Sequence, residues 1–204
     1  PEKPWIRAAV LSCQPDVCVQ LVRFLIGDEG FVRTPAGQNF LRQLTFVLGA
    51  QNTIKNLYEI LTSYGFIPYC ECEIDESFLG GLGDGLRQAG KNFRTAFPNA
   101  ASMGAIKIDS ILSEAVRLAE NQTEPADKRR KAIQLLGYEE FDKAKGTLSK
   151  LLEAHEPQEI QMVAVRAMAG FKNTEVATIF LQPWRSFTPA IRAEVLVAIF
   201  SRKE

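Results

Sequence analysis

The apolar positions of this chain recur mostly three or four residues apart, the spacing that gathers side chains on one face of an α-helix. Leu41, Leu44, Val47 and Leu48 follow that period, as do Ile54, Leu57, Ile60 and Leu61, and again Ile108, Ile111, Leu112, Ala115 and Leu118. Strand-like alternation occurs only at Tyr69-Cys70-Glu71-Cys72-Glu73-Ile74, too short and isolated to build a sheet, and it reads as an extended connection. The pattern predicts helices near 4–13, 15–26, 35–48, 52–64, 76–89, 105–120, 125–137, 139–153, 158–170, 173–182 and 188–201. Longer loops fall at 27–34, 66–75 and 92–104, the last with room for a helical turn around Phe93 and Phe97. Pro4, Pro125, Pro157 and Pro189 stand at or just before predicted helices, where a fixed φ and a missing N–H cost little. Thr123, Asn173 and Thr188 offer side-chain oxygens to first-turn amides, and Gly65, Gly137 and Gly170 suit helix ends that need a left-handed residue.

Three C-terminal segments superpose on one another. Lys131-Ala132-Ile133-Gln134-Leu135-Leu136-Gly137 matches Val163-Ala164-Val165-Arg166-Ala167-Met168-Ala169, an offset of 32, and Glu194-Val195-Leu196-Val197-Ala198-Ile199-Phe200 follows at 31. Near the N-terminus, Ile6-Arg7-Ala8-Ala9-Val10-Leu11 agrees with Ile191-Arg192-Ala193-Glu194-Val195-Leu196 at five of six positions, 185 residues away and about six such periods. A period of 31 to 32 suits a two-helix repeat at the short end of the HEAT class. The expected fold is therefore all-α, an α–α superhelix of antiparallel helix pairs (a HEAT/armadillo-like solenoid) forming a single repeat domain over 1–204. The last predicted helix has no partner before Glu204, and the opening Pro1-Glu2-Lys3-Pro4-Trp5 has no initiator Met or signal-like h-region, so the chain reads as a segment of a longer multidomain protein.

Composition narrows the function classes. The 24 basic and 24 acidic residues cancel, leaving no bulk field to draw in a phosphate backbone or an anionic membrane. No apolar run approaches the roughly 20 residues that span a bilayer. The expected partners are therefore a protein or flanking domains of the same chain, not nucleic acid and not the membrane interior. Cys13, Cys18, Cys70 and Cys72 permit two disulfides without requiring either, so the redox compartment stays open.

Candidate chemistry is sparse. Gly80-Gly81-Leu82-Gly83-Asp84-Gly85 invites an anion-cradle reading, but its spacing fits neither common phosphate-binding pattern, and close helix packing explains it better. The cysteine spacing does not suit a zinc site, and no metal or other cofactor is expected in this segment. His155 lies between helices in Glu153-Ala154-His155-Glu156-Pro157, where exposure is the default. The acidic pairs Glu139-Glu140 and Asp75-Glu76 fit helix N-termini, where carboxylates complement the dipole. Lys128-Arg129-Arg130-Lys131 reads as a solvated face, and Arg129 and Arg130 become partner-binding candidates if that face docks. Trp5 and Trp184 are the aromatic candidates for a partner site, with gap filling between helices as the plainer role. No catalytic residue emerges. A repeat-fold lyase or hydrolase using 80–85 and a nucleic-acid-binding solenoid stand as alternatives.

Several phrases resemble the HEAT-repeat region of the large haem-binding, putative membrane-bound dehydrogenase proteins of planctomycetes and related bacteria. They are Trp5-Ile6-Arg7-Ala8-Ala9-Val10-Leu11-Ser12, Arg33-Thr34-Pro35-Ala36-Gly37 with Gly49-Ala50-Gln51-Asn52, Leu79-Gly80-Gly81-Leu82-Gly83-Asp84-Gly85-Leu86, and Trp184-Arg185-Ser186-Phe187-Thr188-Pro189-Ala190-Ile191-Arg192-Ala193-Glu194. Asp84 departs from that pattern by interrupting the glycines. The resemblance implies a non-catalytic scaffold between a dehydrogenase-like propeller and a cytochrome c domain, in an extracytoplasmic protein. The C-x-x-C-H haem-attachment motif is missing here, so no haem or dehydrogenase role carries over to any residue of this chain.

Overall fold

The computed structural model describes residues 14–51, 73–97 and 103–201, and among these every regular element is helical. The chain divides into two compact units, Pro1–Ile111 and Leu112–Glu204. The predicted helices at 4–13 and 52–64, together with Pro4, Trp5, Gly65, Cys13, Cys70 and Cys72, lie outside the described residues.

The first unit holds α1 (Pro15–Ile26), α2 (Glu29–Val32), α3 (Pro35–Gln51), α4 (Glu73–Gln88), α5 (Phe93–Ala96) and the start of α6 (Met103–Glu120). Helix α1 begins with a proline in its first turn and carries Asp16 there and Arg23 in its last turn, both complementing the helix dipole. Its buried face of Cys18, Val19, Val22 and Leu25 keeps the three-to-four spacing. Cys18 is fully buried and disulfide-bonded. The predicted loop at 27–34 contains the short helix α2, where Asp28 Oδ1 accepts from the Phe31 amide at 3.1 Å. Thr34 Oγ1 then accepts from the Gly37 amide at 3.0 Å, capping α3. Glu73, Ile74 and Asp75, expected in a connection, open α4 instead. Asp75 and Glu76 thus sit in a first helical turn, and six residues of alternation are too few to outweigh the helical pattern that follows. The turn expected around Phe93 is α5, with a reciprocal capping box between Asn92 and Thr95.

Helices α3 and α4 press together through glycine. A methyl group at Gly81 would overlap the Arg42 carbonyl oxygen and the Thr45 hydroxyl, and one at Gly85 would overlap the Phe46 carbonyl oxygen. Gly49 returns the arrangement from α3, its missing side chain leaving room for the backbone of Leu82 and Leu86. Such an approach places Leu41, Leu44 and Leu48 of α3 and Phe78, Leu79, Leu82 and Leu86 of α4 in the core, all almost fully excluded from water.

The second unit takes the end of α6, then α7 (Ala126–Leu136), α8 (Phe141–Lys150), α9 (Gln158–Ala169), α10 (Glu175–Leu181), a 3-10 turn (Trp184–Ser186) and α11 (Pro189–Phe200). Helix α9 is central, packing against α7 and α11 and touching α8 and α10. The superposable sequence segments are therefore neighbours in space as well as in the chain. Their core runs continuously through Ala132, Ile133, Leu136, Leu148, Ile160, Ala164, Val165, Met168, Val176, Phe180, Ile191 and Val195. Phe141 and Phe171 add an edge-to-face pair at 5.6 Å.

Local endings differ from expectation in two respects. Gly137 and Gly170 do follow α7 and α9, but with φ of −62° and −70° they are right-handed, and each helix closes on tightened amide bonds. The left-handed glycine among the described residues is Gly90, φ 73°, where the chain turns after α4. Among the expected caps, Thr188 accepts from the Ile191 amide at 3.4 Å and Asn173 from the Glu175 amide at 2.8 Å. Thr123 does not cap: its amide donates to Asn121, and Pro125 occupies the N-cap of α7.

Candidate functional site

The basic run on α7 does not behave as one solvated face. Arg129 is 3 % exposed, and its guanidinium donates twice to the Ala119 carbonyl, at 3.0 and 2.9 Å, and once to Glu156 Oε2 at 2.7 Å. It satisfies an orphan carbonyl near the end of α6 while neutralising a buried carboxylate just ahead of α9. Arg129 thus lies in the interior and cannot present itself to a partner. Charge content alone does not tell a buried guanidinium from a solvated one; the partner Glu156 stands 27 residues away. Arg130 remains at the surface, 41 % exposed, paired with Asp127 and reaching Glu159 at 3.3 Å.

Arg130–Glu159 belongs to a set of contacts joining positions 28 to 30 residues apart. Lys145 meets Glu175 at 3.3 Å across 30 residues, Lys150 meets Glu120 at 3.1 Å across 30, and Arg166 meets Glu194 at 2.7 Å across 28. Hydrogen bonds donated to Asp142 and then to Glu175 raise the Lys145 pKa, and the hydrogen bond to Glu194 raises that of Arg166. For Glu120, partial burial pushes the carboxyl up, but hydrogen bonds from Lys150 and Thr147 outweigh it and hold the carboxyl below its ordinary value. A lowered folded pKa means a contribution that is complete above the unfolded value and vanishes as pH falls through the folded one. Glu120→Gln should therefore lower the thermal midpoint by about 1 to 3 °C at neutral pH and by progressively less in acid, as the pH falls through the folded pKa. Parallel calorimetric scans at neutral and acid pH test this, and an equal loss at both would remove the ionic explanation.

Trp184 is half-buried against the second core, with the Arg192 guanidinium 5.6 Å from its ring centre and Arg192 Nε donating to its carbonyl at 3.1 Å. It fills a gap ahead of α11. His155 is exposed as expected, 3.4 Å from Glu153 and 3.7 Å from Glu156. Glu140 is the N-cap residue of α8, and Glu139 accepts from the Glu140 amide at 2.8 Å. The glycines of 80–85 lie inside α4, where backbone amides serve the helix's own carbonyls, so the packing role is the one the geometry carries.

A surface cleft of about 420 Å³ runs along α3 and α4, lined by Gly81 and Asp84 of the glycine run and mostly by residues that sequence did not single out. Arg42 and Asp84 pair across it at 2.6 Å, half to one-third exposed, and Gly80 lets the guanidinium lie close over α4. Gln38, Asn39 and Gln43 line the α3 side, Gln43 donating to Asn39 at 2.8 Å, and Phe46 closes one end with its ring partly exposed. A sequence signal for it exists: polar residues at 38, 39, 42 and 43 recur one helical turn apart opposite the buried leucines. The paired charges cancel, so the cleft is neutral and rich in carboxamides.

No known family, curated protein or solved structure matches this chain. Its own geometry must carry the functional reading. Among the described residues no three His, Cys, Asp or Glu side chains are grouped to hold a metal ion, and no helix is long and apolar enough to cross a membrane.

Proposed function

We propose that this chain is a non-catalytic helical scaffold, an α-solenoid of HEAT/armadillo type built from antiparallel helix pairs, that holds a protein partner. The observation behind the reading is the set of polar contacts within the second unit that span 27 to 30 residues, close to the sequence period of 31 to 32. Neighbour-to-neighbour attachment is the physical basis of repeat stacking, and stacked helices offer long surfaces to polypeptides. The phrases that resemble the planctomycete haem-binding proteins support a further part of the proposal, a spacer role beside redox domains outside the cytoplasm.

The α3–α4 cleft is the position proposed for the partner. A carboxamide presents one donor side and one acceptor, as a peptide unit does, so Gln38, Asn39 and Gln43 suit an extended uncharged segment, with Phe46 taking an apolar side chain. The test is selection of displayed peptides on the immobilised chain. Enriched peptides should lose at least roughly tenfold in affinity with Gln43→Glu or Phe46→Ala and keep it with Arg185→Ala. Failure to enrich any peptide, or enrichment indifferent to the cleft variants, would remove the cleft from this role.

A further inference from the structure

The connection between α6 and α7 carries chemistry that the scaffold reading does not use. It runs from the end of α6 at Glu120 to the start of α7 at Ala126, with Gln122 and Thr123 exposed and Asn121 half-buried. The Thr123 amide donates to Asn121 Oδ1 at 3.1 Å, and the Thr123 hydroxyl donates to the same oxygen at 2.8 Å. Two donors on one oxygen fix which way the carboxamide points, and among the described residues nothing bonds its Nδ2. Gln122 does not crowd that nitrogen, because its own side chain is drawn toward Glu156, with Nε2 3.4 Å from Oε1.

Asparagine followed two positions later by serine or threonine, with no proline between, is the acceptor pattern for N-linked glycans on surface loops of secreted proteins. Asn121 alone among the chain's seven asparagines meets it. Asn173 supplies a comparison in the same unit: its Oδ1 also accepts from an amide two residues on, at 2.8 Å, but that residue is Glu175, which has no hydroxyl. A second observation concerns the compartment. Cys18 is disulfide-bonded, and such bonds persist where thiols are kept oxidised, the setting of secreted proteins.

We infer that Asn121 is a site of N-linked glycosylation, its Nδ2 attacking the anomeric carbon of a diphosphate-activated sugar presented by a transferase. The C–N bond forms as the C–O bond to the diphosphate breaks, the electron pair leaves with the diphosphate, and a proton of Nδ2 passes to a base of the transferase. Thr123 is a positioning residue, its hydroxyl holding Oδ1 so that Nδ2 is the end offered to the sugar.

The test is synthesis of the whole chain, behind a cleavable secretion signal, with microsomes that hold the transferase and its lipid-linked donor. Protection from added protease identifies translocated chains. The wild-type chain should gain one glycan, removed by a peptide N-glycosidase that leaves a carboxylic acid in place of the Asn121 amide. Asn121→Gln and Thr123→Ala should lose it, whereas Thr123→Ser should keep it, because serine retains the hydroxyl. A translocated wild-type chain without a glycan, a glycan that survives Asn121→Gln, full modification of Thr123→Ala, or a Thr123→Ser chain as bare as Thr123→Ala would each overturn the inference.

Discussion

Gly81→Ala is expected to destabilise the first unit by about 2 to 4 kcal/mol, although alanine is the better helix former by roughly 1 kcal/mol. The new methyl group would occupy the space of the Arg42 carbonyl oxygen and stand 2.9 Å from its carbonyl carbon, both backbone atoms of a helix that cannot rotate aside. Relief requires α3 and α4 to separate, and separation loosens the packing of Leu41, Leu44, Phe78 and Leu82 together. Gly85→Ala should behave alike, since its methyl would meet the Phe46 carbonyl and stand 2.8 Å from the Ala50 nitrogen. Gly146→Ala supplies the opposite sign. That glycine is inside α8 with nothing within 4 Å of the added carbon, so the propensity gain of up to about 1 kcal/mol is uncompensated. Urea unfolding of the three variants followed by circular dichroism separates the two cases. A stabilised Gly81→Ala would mean that α3 and α4 are not in backbone contact.

The same glycines mark how far sequence reading reaches here. Helical spacing locates α1, α3, α6, α9 and α11 within a few residues, because each buries a broad apolar stripe and the period is a local property of the chain. Glycine in 80–85 is legible as a packing device, but its partner is not, since Gly49 and the Arg42 and Phe46 carbonyls belong to another helix. Boundaries suffer where alternation and helical period overlap, as at Glu73–Asp75, which join α4. The cleft is harder still. Arg42 and Asp84 are 42 positions apart, and only the α3–α4 contact makes them a pair. Arg129 fails for a related reason, because a basic cluster looks solvated until a distant carboxylate and an unfilled helix-end carbonyl are found beside it.

These two junctions divide the work of holding the fold. In the first unit, missing side chains let backbones touch, and the gain is dispersion over a long helix contact. In the second, the helices are shorter than α3 and α4, 7 to 12 residues from α7 onward, and less able to form alone, so they depend on ties to neighbouring helices. Exposed cross-links such as Arg166–Glu194 contribute only modestly to that, because water screens them. The buried member of the set is the one whose loss should be felt.

Glu156→Ala should lower the stability of the second unit by about 3 to 5 kcal/mol, because it leaves the Arg129 charge in a place water does not reach. Both side chains are 3 % exposed, and the guanidinium is already held by the Ala119 carbonyl, so it cannot swing outward without breaking two further hydrogen bonds. Arg129→Ala should cost a similar amount by taking the guanidinium away from the buried carboxylate. Arg129→Lys does not restore the site: a single ammonium cannot reproduce the planar fork that reaches the carbonyl and the carboxylate together. Replacing both, as Arg129→Met with Glu156→Leu, should recover most of the loss but not all, since the Ala119 carbonyl would then lack its donor. Calorimetry of the four variants reads this as a drop on the order of 10 °C for either alanine variant and a smaller one for the apolar pair. If the apolar pair were as damaged as the single alanines, the loss would lie in packing volume rather than in stranded charge. If Glu156→Ala melted like the wild type, the guanidinium would have a route to water, and the junction of α6, α7 and α9 would not depend on this pair.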